Sequence, residues 1–180
     1  RTITVLIDNR EKFPLLFPRT VVWNRRGRKP HTFLLRTKKV RLPAGDYALA
    51  GYNDALVERK GSLRELSNNL FSDDRRRSDT AFRNLVAATP NPYLLMDMTL
   101  GELMTNTEYV LDAKIILDEL LDKTRATGLK LLIVGGCKAA GARRMLGEFV
   151  VRLLLCHAMN KDVPPVDILT MMNNLEGGKP

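Results

Sequence analysis

Up to Lys60 the apolar residues of this chain recur as they do in strands; beyond it they recur with the period of helices. That switch constrains the fold more than any other feature. Residues 2–7 (TITVLI) are β-branched and continuous, as in a buried strand. Thr20–Trp23 predicts a second strand, and 32–42 an extended segment carrying Lys and Arg. Residues 13–18, apolar but broken by two prolines, predict a turn or a short helix. Residues 46–50 and 55–59 predict a hairpin around Gly51-Tyr52-Asn53-Asp54. After Lys60, 62–71 predicts a helix with Ser62 and Glu65 at capping-box spacing. Helices are also predicted over 79–88, 110–127 (Gly128 as its C-cap) and 142–158, with strands over 93–98 and 129–134. The order predicts an α/β fold, a mixed central sheet flanked by helices. One domain is expected over 1–158, followed by a tail or docking arm over 159–180.

Charge sorts the candidate partners. The 180-residue chain carries a net +9. Residues 1–44 hold twelve Lys and Arg against Asp8 and Glu11, a net of +10, so the rest of the chain sums to −1. Basicity gathered in one segment points to a polyanion, above all nucleic acid. Arg25, Arg26, Arg28, Lys29, Arg36, Lys38, Lys39 and Arg41 are the residues expected to meet phosphate. Trp23 and Phe33, nearby, suit either stacking on a base or the core.

Several function classes drop out. No run reaches the roughly 18 apolar residues of a membrane span. The turn at Gly135, Gly136 and Gly141 fits neither dinucleotide nor P-loop spacing, so no nucleotide cofactor is expected. His31 and His157, the two histidines, supply no His-based nuclease or triad. Cys137 and Cys156 build neither a disulfide framework nor a zinc site, and point to a cytoplasmic or nuclear setting.

The chemistry concentrates at Gly45-Asp46-Tyr47 and Val57-Glu58-Arg59-Lys60. Alternation along a strand puts Glu58 and Lys60 on one face and turns Arg59 away. Asp46, on the preceding strand of the hairpin, can join Glu58 around one hard cation such as Mg²⁺, with waters and phosphate oxygens completing the shell. Lys60 can then orient a water or stabilise charge on a phosphate. Asp8, at the end of the first strand, offers a further carboxylate. The same residues would equally make a charged strand end, and the spacing alone does not choose.

Three separated motifs, IDNRE at 7–11, GDY at 45–47 and VERKGSLREL at 57–66, resemble the nuclease domain of the XPF/Hef family of structure-specific nucleases. The resemblance runs over about residues 2–158. It implies a restriction-endonuclease-like fold and a Mg²⁺- or Mn²⁺-dependent endonuclease that hydrolyses phosphodiester bonds of branched DNA (flaps, forks, Holliday junctions) in repair and recombination. On this resemblance Asp8, Asp46 and Glu58 hold metal and Lys60 is the catalytic lysine. Arg10, Glu11 and Arg59 match motif positions. Where the family has Asp four residues after the motif lysine, this chain has Arg64, and the acid, Glu65, comes one residue later. The largely apolar helix over 142–158 needs cover on more than one side, from the tail over 159–180 or from a second subunit; the resemblance implies paired domains, hence a homodimer. The alternative is a DNA-binding or partner-binding module of the same fold without activity.

Overall fold

The computed structural model describes residues 1–26, 29–72, 75–136 and 138–159. Seven strands form one mixed sheet: β1 (Thr2–Asp8), β2 (Thr20–Trp23), β3 (His31–Val40), β4 (Tyr47–Leu49), β5 (Tyr52–Lys60), β6 (Pro92–Met96) and β7 (Lys130–Ile133), in the order β2-β3-β1-β4-β5-β6-β7. β1 runs parallel to β3 and antiparallel to β4, and β6 runs parallel to β5 and β7. The helices are α1 (Leu63–Phe71), α2 (Arg75–Ala88), α3 (Leu100–Met104), α4 (Ala113–Thr127) and α5 (Ala140–Ala158). The α/β class expected from the sequence is the one observed. No helix among the described residues is long and apolar enough to cross a membrane.

The chain divides into two compact units. Among the described residues, one gathers Arg1–Leu42, Tyr47–Ala55 and 139–159; the other gathers Pro43–Asp46 and Leu56–Lys138. In the first unit α5 packs on β2 and β4 and buries Leu146, Val150, Val151, Leu154 and Leu155. Gly147 lets it come close: a Cβ there would stand 2.0 Å from the Leu16 carbonyl oxygen. Arg143 donates to the Pro14 carbonyl, and Tyr47, fully buried, accepts the Leu15 N–H at 3.0 Å. The segment over 13–18 is thus neither helix nor hairpin turn but an irregular stretch tied down from two sides. In the second unit β6 is buried along its whole length, as a central parallel strand covered on both faces must be. Leu66, Phe82, Leu85, Leu103 and Leu120 complete its core.

Several boundaries differ from expectation. The hairpin turns at Ala50-Gly51, where Gly51 takes φ 75°, and β5 already begins at Tyr52. Tyr52 is buried and donates to the His157 carbonyl at 2.8 Å, which holds it in the strand. α2 starts four residues early, at Arg75. The helix expected from residue 110 starts at Ala113, because Asp112 caps it by accepting the Ile115 N–H at 3.2 Å. The short α3 was not expected; Thr99 and Glu102 close a capping box around it. The residues expected as a tail lie, from 160 on, outside the described residues.

Candidate active site

The site is built where β5 ends. Gly45 takes φ 73°, and a Cβ there would meet the Val57 carbonyl oxygen at 3.1 Å and Leu85 Cδ1 at 3.2 Å. Only glycine fits that close turn. It brings the Asp46 N–H onto the Val57 carbonyl at 2.7 Å. The Asp46 Oδ2 then accepts the backbone N–H of Arg59 at 2.7 Å. Asp46 therefore grips the strand between Glu58 and Lys60.

Glu58 and Lys60 share a face, as strand alternation requires. Lys60 Nζ donates to Glu58 Oε1 at 2.7 Å, with the two side chains 10% and 15% exposed. Glu65 joins from α1. Its Oε1 lies 3.5 Å from Lys60 Nζ and its Oε2 accepts the Gly61 N–H at 3.1 Å. Its own N–H is capped by Ser62 Oγ at 3.1 Å. Arg64 points elsewhere, its guanidinium 4.6 Å over the Tyr109 ring. Of the two residues in question, Glu65 is the one beside Lys60. Burial works to lower the Lys60 pKa, but the charges of Glu58 and Glu65, with Asp46 behind them, outweigh it and hold it above 10.5. Lys60 is an ammonium at neutral pH, able to donate and to neutralise charge but not to act as a base.

Arg59 leaves on the other face. Its Nε and Nη2 donate to Asp97 Oδ2 at 3.0 and 2.6 Å. Asp97 was not singled out from the sequence. The available signal was an acid closing the apolar run YLLM, since a carboxylate carried into a core needs a partner.

Asp8, Arg10 and Glu11 serve a turn in the first unit. Asp8 is fully buried. Its Oδ1 accepts Arg10 N at 2.8 Å and Nε at 2.7 Å; its Oδ2 accepts Arg10 Nη2 at 3.0 Å and Leu42 N at 2.8 Å. Burial pushes its carboxyl up, but the bonds from Arg10 and Leu42 and the Arg10 charge hold it below 3.8. Glu11 Oε1 accepts the Phe13 N–H at 2.7 Å. A folded-state pKa below the unfolded one stabilises the fold above the ordinary carboxylate range, and that stability is lost as pH falls through the folded value. Asp8→Asn should therefore cost about 2 kcal/mol at pH 7, the worth of charge-assisted bonds. In urea unfolding the gap from wild type should be smaller at about pH 3, below the ordinary carboxylate range, than at pH 7. A gap equal at both pH values would show that the charge of Asp8 does not carry the effect.

Among the described residues no group of three or more His, Cys, Asp and Glu side chains is placed to hold a metal ion. Mg²⁺ commonly takes one or two carboxylates and leaves the rest of its shell to water and phosphate. Asp46 and Glu58, hard oxygen donors flanking the Arg59 peptide, suit that chemistry.

The cationic residues expected to meet phosphate, Arg25, Arg26, Lys29, Arg36, Lys38, Lys39 and Arg41, are exposed; Arg28 lies outside the described residues. β2 pairs only with His31–Leu34 of β3, so beyond Leu35 β3 pairs with β1 alone among the described strands. Phe33 is 1% exposed and belongs to the core rather than to a stacking surface, while Trp23 is half-buried. On α5 the apolar side chains left most open are Met145 and Phe149.

Solved structures with a similar fold include XPF from Aeropyrum pernix, with a TM-score of 0.58 and 15% identity over 89% of this chain and 65% of that one. A second is XPF from Aeropyrum pernix in complex with DNA, with a TM-score of 0.56 and 14% identity over 92% of this chain and 69% of that one. The chain thus spans 65% of the length of the first structure. At this identity the likeness is one of fold. No protein-family model matches the sequence, and no curated protein matches it.

Proposed function

We propose that this chain is a metal-dependent DNA endonuclease that hydrolyses phosphodiester bonds, with branched DNA as its substrate. The observation that carries the reading is the set of Asp46, Glu58, Lys60 and Glu65 gathered at the end of β5 on a fold shared with XPF. Asp46 and Glu58 would hold Mg²⁺ or Mn²⁺. The ion, when bound, supplies charge to the phosphoryl oxygens and acidifies water. Lys60 donates to a phosphoryl oxygen and neutralises the charge that builds there. Because Lys60 is already protonated, the proton released by the attacking water goes to a carboxylate or to solvent. Glu65, with its side chain 43% exposed, is the carboxylate most open to that water. Asp8 has both oxygens engaged and would have to give up bonds to Arg10 or Leu42 to join an ion.

Labelled flap, fork and Holliday-junction DNA, incubated with Mg²⁺ or with EDTA, tests the reading. Cutting with Mg²⁺ and none with EDTA is expected. Binding without cutting on every substrate would favour the second reading, an inactive DNA-binding module, which the full engagement of Asp8 supports.

The exposed cations of residues 25–41 are the proposed DNA surface. Changing Arg25, Arg26, Arg28 and Lys29 to Ala should flatten the dependence of log affinity on log salt, by about 0.9 for each phosphate that is no longer neutralised. An unchanged slope would remove this loop from the interface. As a further partner we propose a second copy of the chain, seated on Met145 and Phe149. Light scattering at tens of micromolar should give the mass of a dimer, and Phe149→Glu that of a monomer; a wild-type monomer would sink this.

A further inference from the structure

The reading above assigns tasks to Asp46, Glu58, Lys60 and Glu65 but none to the two most heavily bonded residues behind them. Arg59 is a hub. Its backbone N–H holds Asp46 Oδ2 at 2.7 Å on one side, and its side chain passes to the other side of the strand, only 12% exposed. There Asp97, with a side chain 3% exposed, takes both Nε and Nη2 on a single oxygen. Asp97 is tied back in turn: its N–H donates to the Lys60 carbonyl at 2.9 Å. The parallel register sets Lys60 against Met96, so Asp97 is the first residue beyond the β6 ladder. Four hydrogen bonds thus run through two consecutive residues of β5: one between Asp46 and the Arg59 backbone, two from the Arg59 side chain to Asp97, and one from the Asp97 N–H back to Lys60.

We infer that Asp97 is a positioning residue for the candidate site: by gripping Arg59 it fixes the end of β5 onto which Asp46 is bonded and from which Lys60 projects. This rests on the nuclease reading for what the site does, though not for the geometry itself. A strand end is ordinarily where a ladder frays, because its last peptides lack neighbours. Here the last two residues, Arg59 and Lys60, are the ones that must stay still, since the Asp46 carboxylate is oriented by the first of them. A buried ion pair is a weak source of stability against apolar residues of similar size. It is a strong source of direction, because the guanidinium fork fixes both partners. Groups behind a ligand commonly set its affinity in this way.

The test uses the full chain and two variants. The first replaces the pair with apolar side chains, Arg59→Met together with Asp97→Leu. The second is Asp97→Asn alone, which keeps the shape and removes the charge. Four quantities are read: thermal unfolding, hydrogen exchange of the backbone amide at position 59 by NMR, Mn²⁺ binding by calorimetry without DNA, and kcat and KM on flap DNA. The paired replacement is expected to melt near wild type. Its amide at position 59 should exchange roughly tenfold faster and its Mn²⁺ affinity should fall roughly tenfold, with kcat lowered and KM for DNA unchanged. A folded variant with wild-type exchange at position 59 and wild-type Mn²⁺ affinity would overturn the inference, leaving the pair a packing feature. If the paired replacement does not fold, Asp97→Asn decides by the same two measurements. Failure of the nuclease reading looks different: wild type itself then does not cut, while the amide at position 59 still reports whether Asp97 holds the strand.

Discussion

Asp46→Asn and Glu58→Gln are each expected to abolish Mg²⁺-dependent cutting while DNA binding stays at or above the wild-type level. Both substitutions keep the shape of the side chain and remove one negative charge from a site that must take a dication. In Asp46→Asn the amide oxygen can still accept the Arg59 N–H, so the strand end keeps its bond. This matters because Asp46→Ala would orphan that donor, at about 1–3 kcal/mol, and confuse a folding loss with a chemical one. Repulsion between the site and the substrate phosphate falls with each lost carboxylate, so binding should not weaken. Lys60→Ala should reduce cutting on the order of a hundredfold to a thousandfold, the scale for removing one well-placed donor to developing charge. Glu65→Ala should cost activity and Arg64→Ala should not, since Glu65 lies at Lys60 and Arg64 over Tyr109. Gel assays of cutting and of binding on the same substrate separate the two effects. Wild-type cutting by Glu58→Gln would mean that the site lies elsewhere.

Gly147→Ala is expected to damage the first unit more than any other single methyl added to α5. In most helix interiors this change stabilises by about 1 kcal/mol, because Ala loses less backbone freedom. Here the added carbon would stand 2.0 Å from the Leu16 carbonyl oxygen and 2.9 Å from its carbon, with Phe17 Cδ1 at 3.3 Å. Two of those neighbours are backbone, so no side-chain rotation clears the overlap. Either α5 lifts from its bed or the stretch over 13–18 moves, and both disturb the bonds from Arg143 to Pro14 and from Leu15 to Tyr47. Overpacking of this kind costs about 3 kcal/mol, or roughly 6–12 °C in melting temperature for a chain of this size. Gly141→Ala is the control. Nothing stands within 4 Å of a Cβ at that position of the same helix. It should melt at or slightly above wild type. Equal effects from the two substitutions would show that the close approach to Leu16 is not tight.

What could be read from the sequence was what neighbouring residues decide. The β-branched run of β1, the Ser62 cap of α1 and the Gly128 terminus of α4, with φ 79°, are each fixed within a few positions of themselves. The pairing of Glu58 with Lys60 is of that kind, a consequence of alternation along one strand. Contacts over longer separations were hidden. Leu42, which fills the second oxygen of Asp8, is 34 residues away from it, and Asp97 is 38 residues from Arg59. Phe33 looked as free as Trp23 because burial is not written in a residue's neighbours. Two further features are legible in the sequence. Thr99-Leu100-Gly101-Glu102 has the spacing of a capping box and starts α3. Asn53 and Asp54 resemble a turn, but Tyr52 before them is an aromatic residue placed for the core, and its burial draws the strand through them.

The division of the chain bears on how it is made. Neither unit is one continuous stretch; each is assembled from segments separated by parts of the other. Every residue of the unit holding Asp46, Glu58 and Lys60 precedes Ala139, so on a ribosome it can close while synthesis continues. The other unit is completed later, because α5 covers β2 and β4 only after the residues beyond Ala139 have emerged. Until then its Val21, Tyr47 and Leu49 lack that helix, and the basic strand β3 leaves the ribosome before the unit it belongs to is complete. A polysome-bound chain truncated before α5 should be cut by protease within residues 1–42 and 47–55 while residues 56–138 resist.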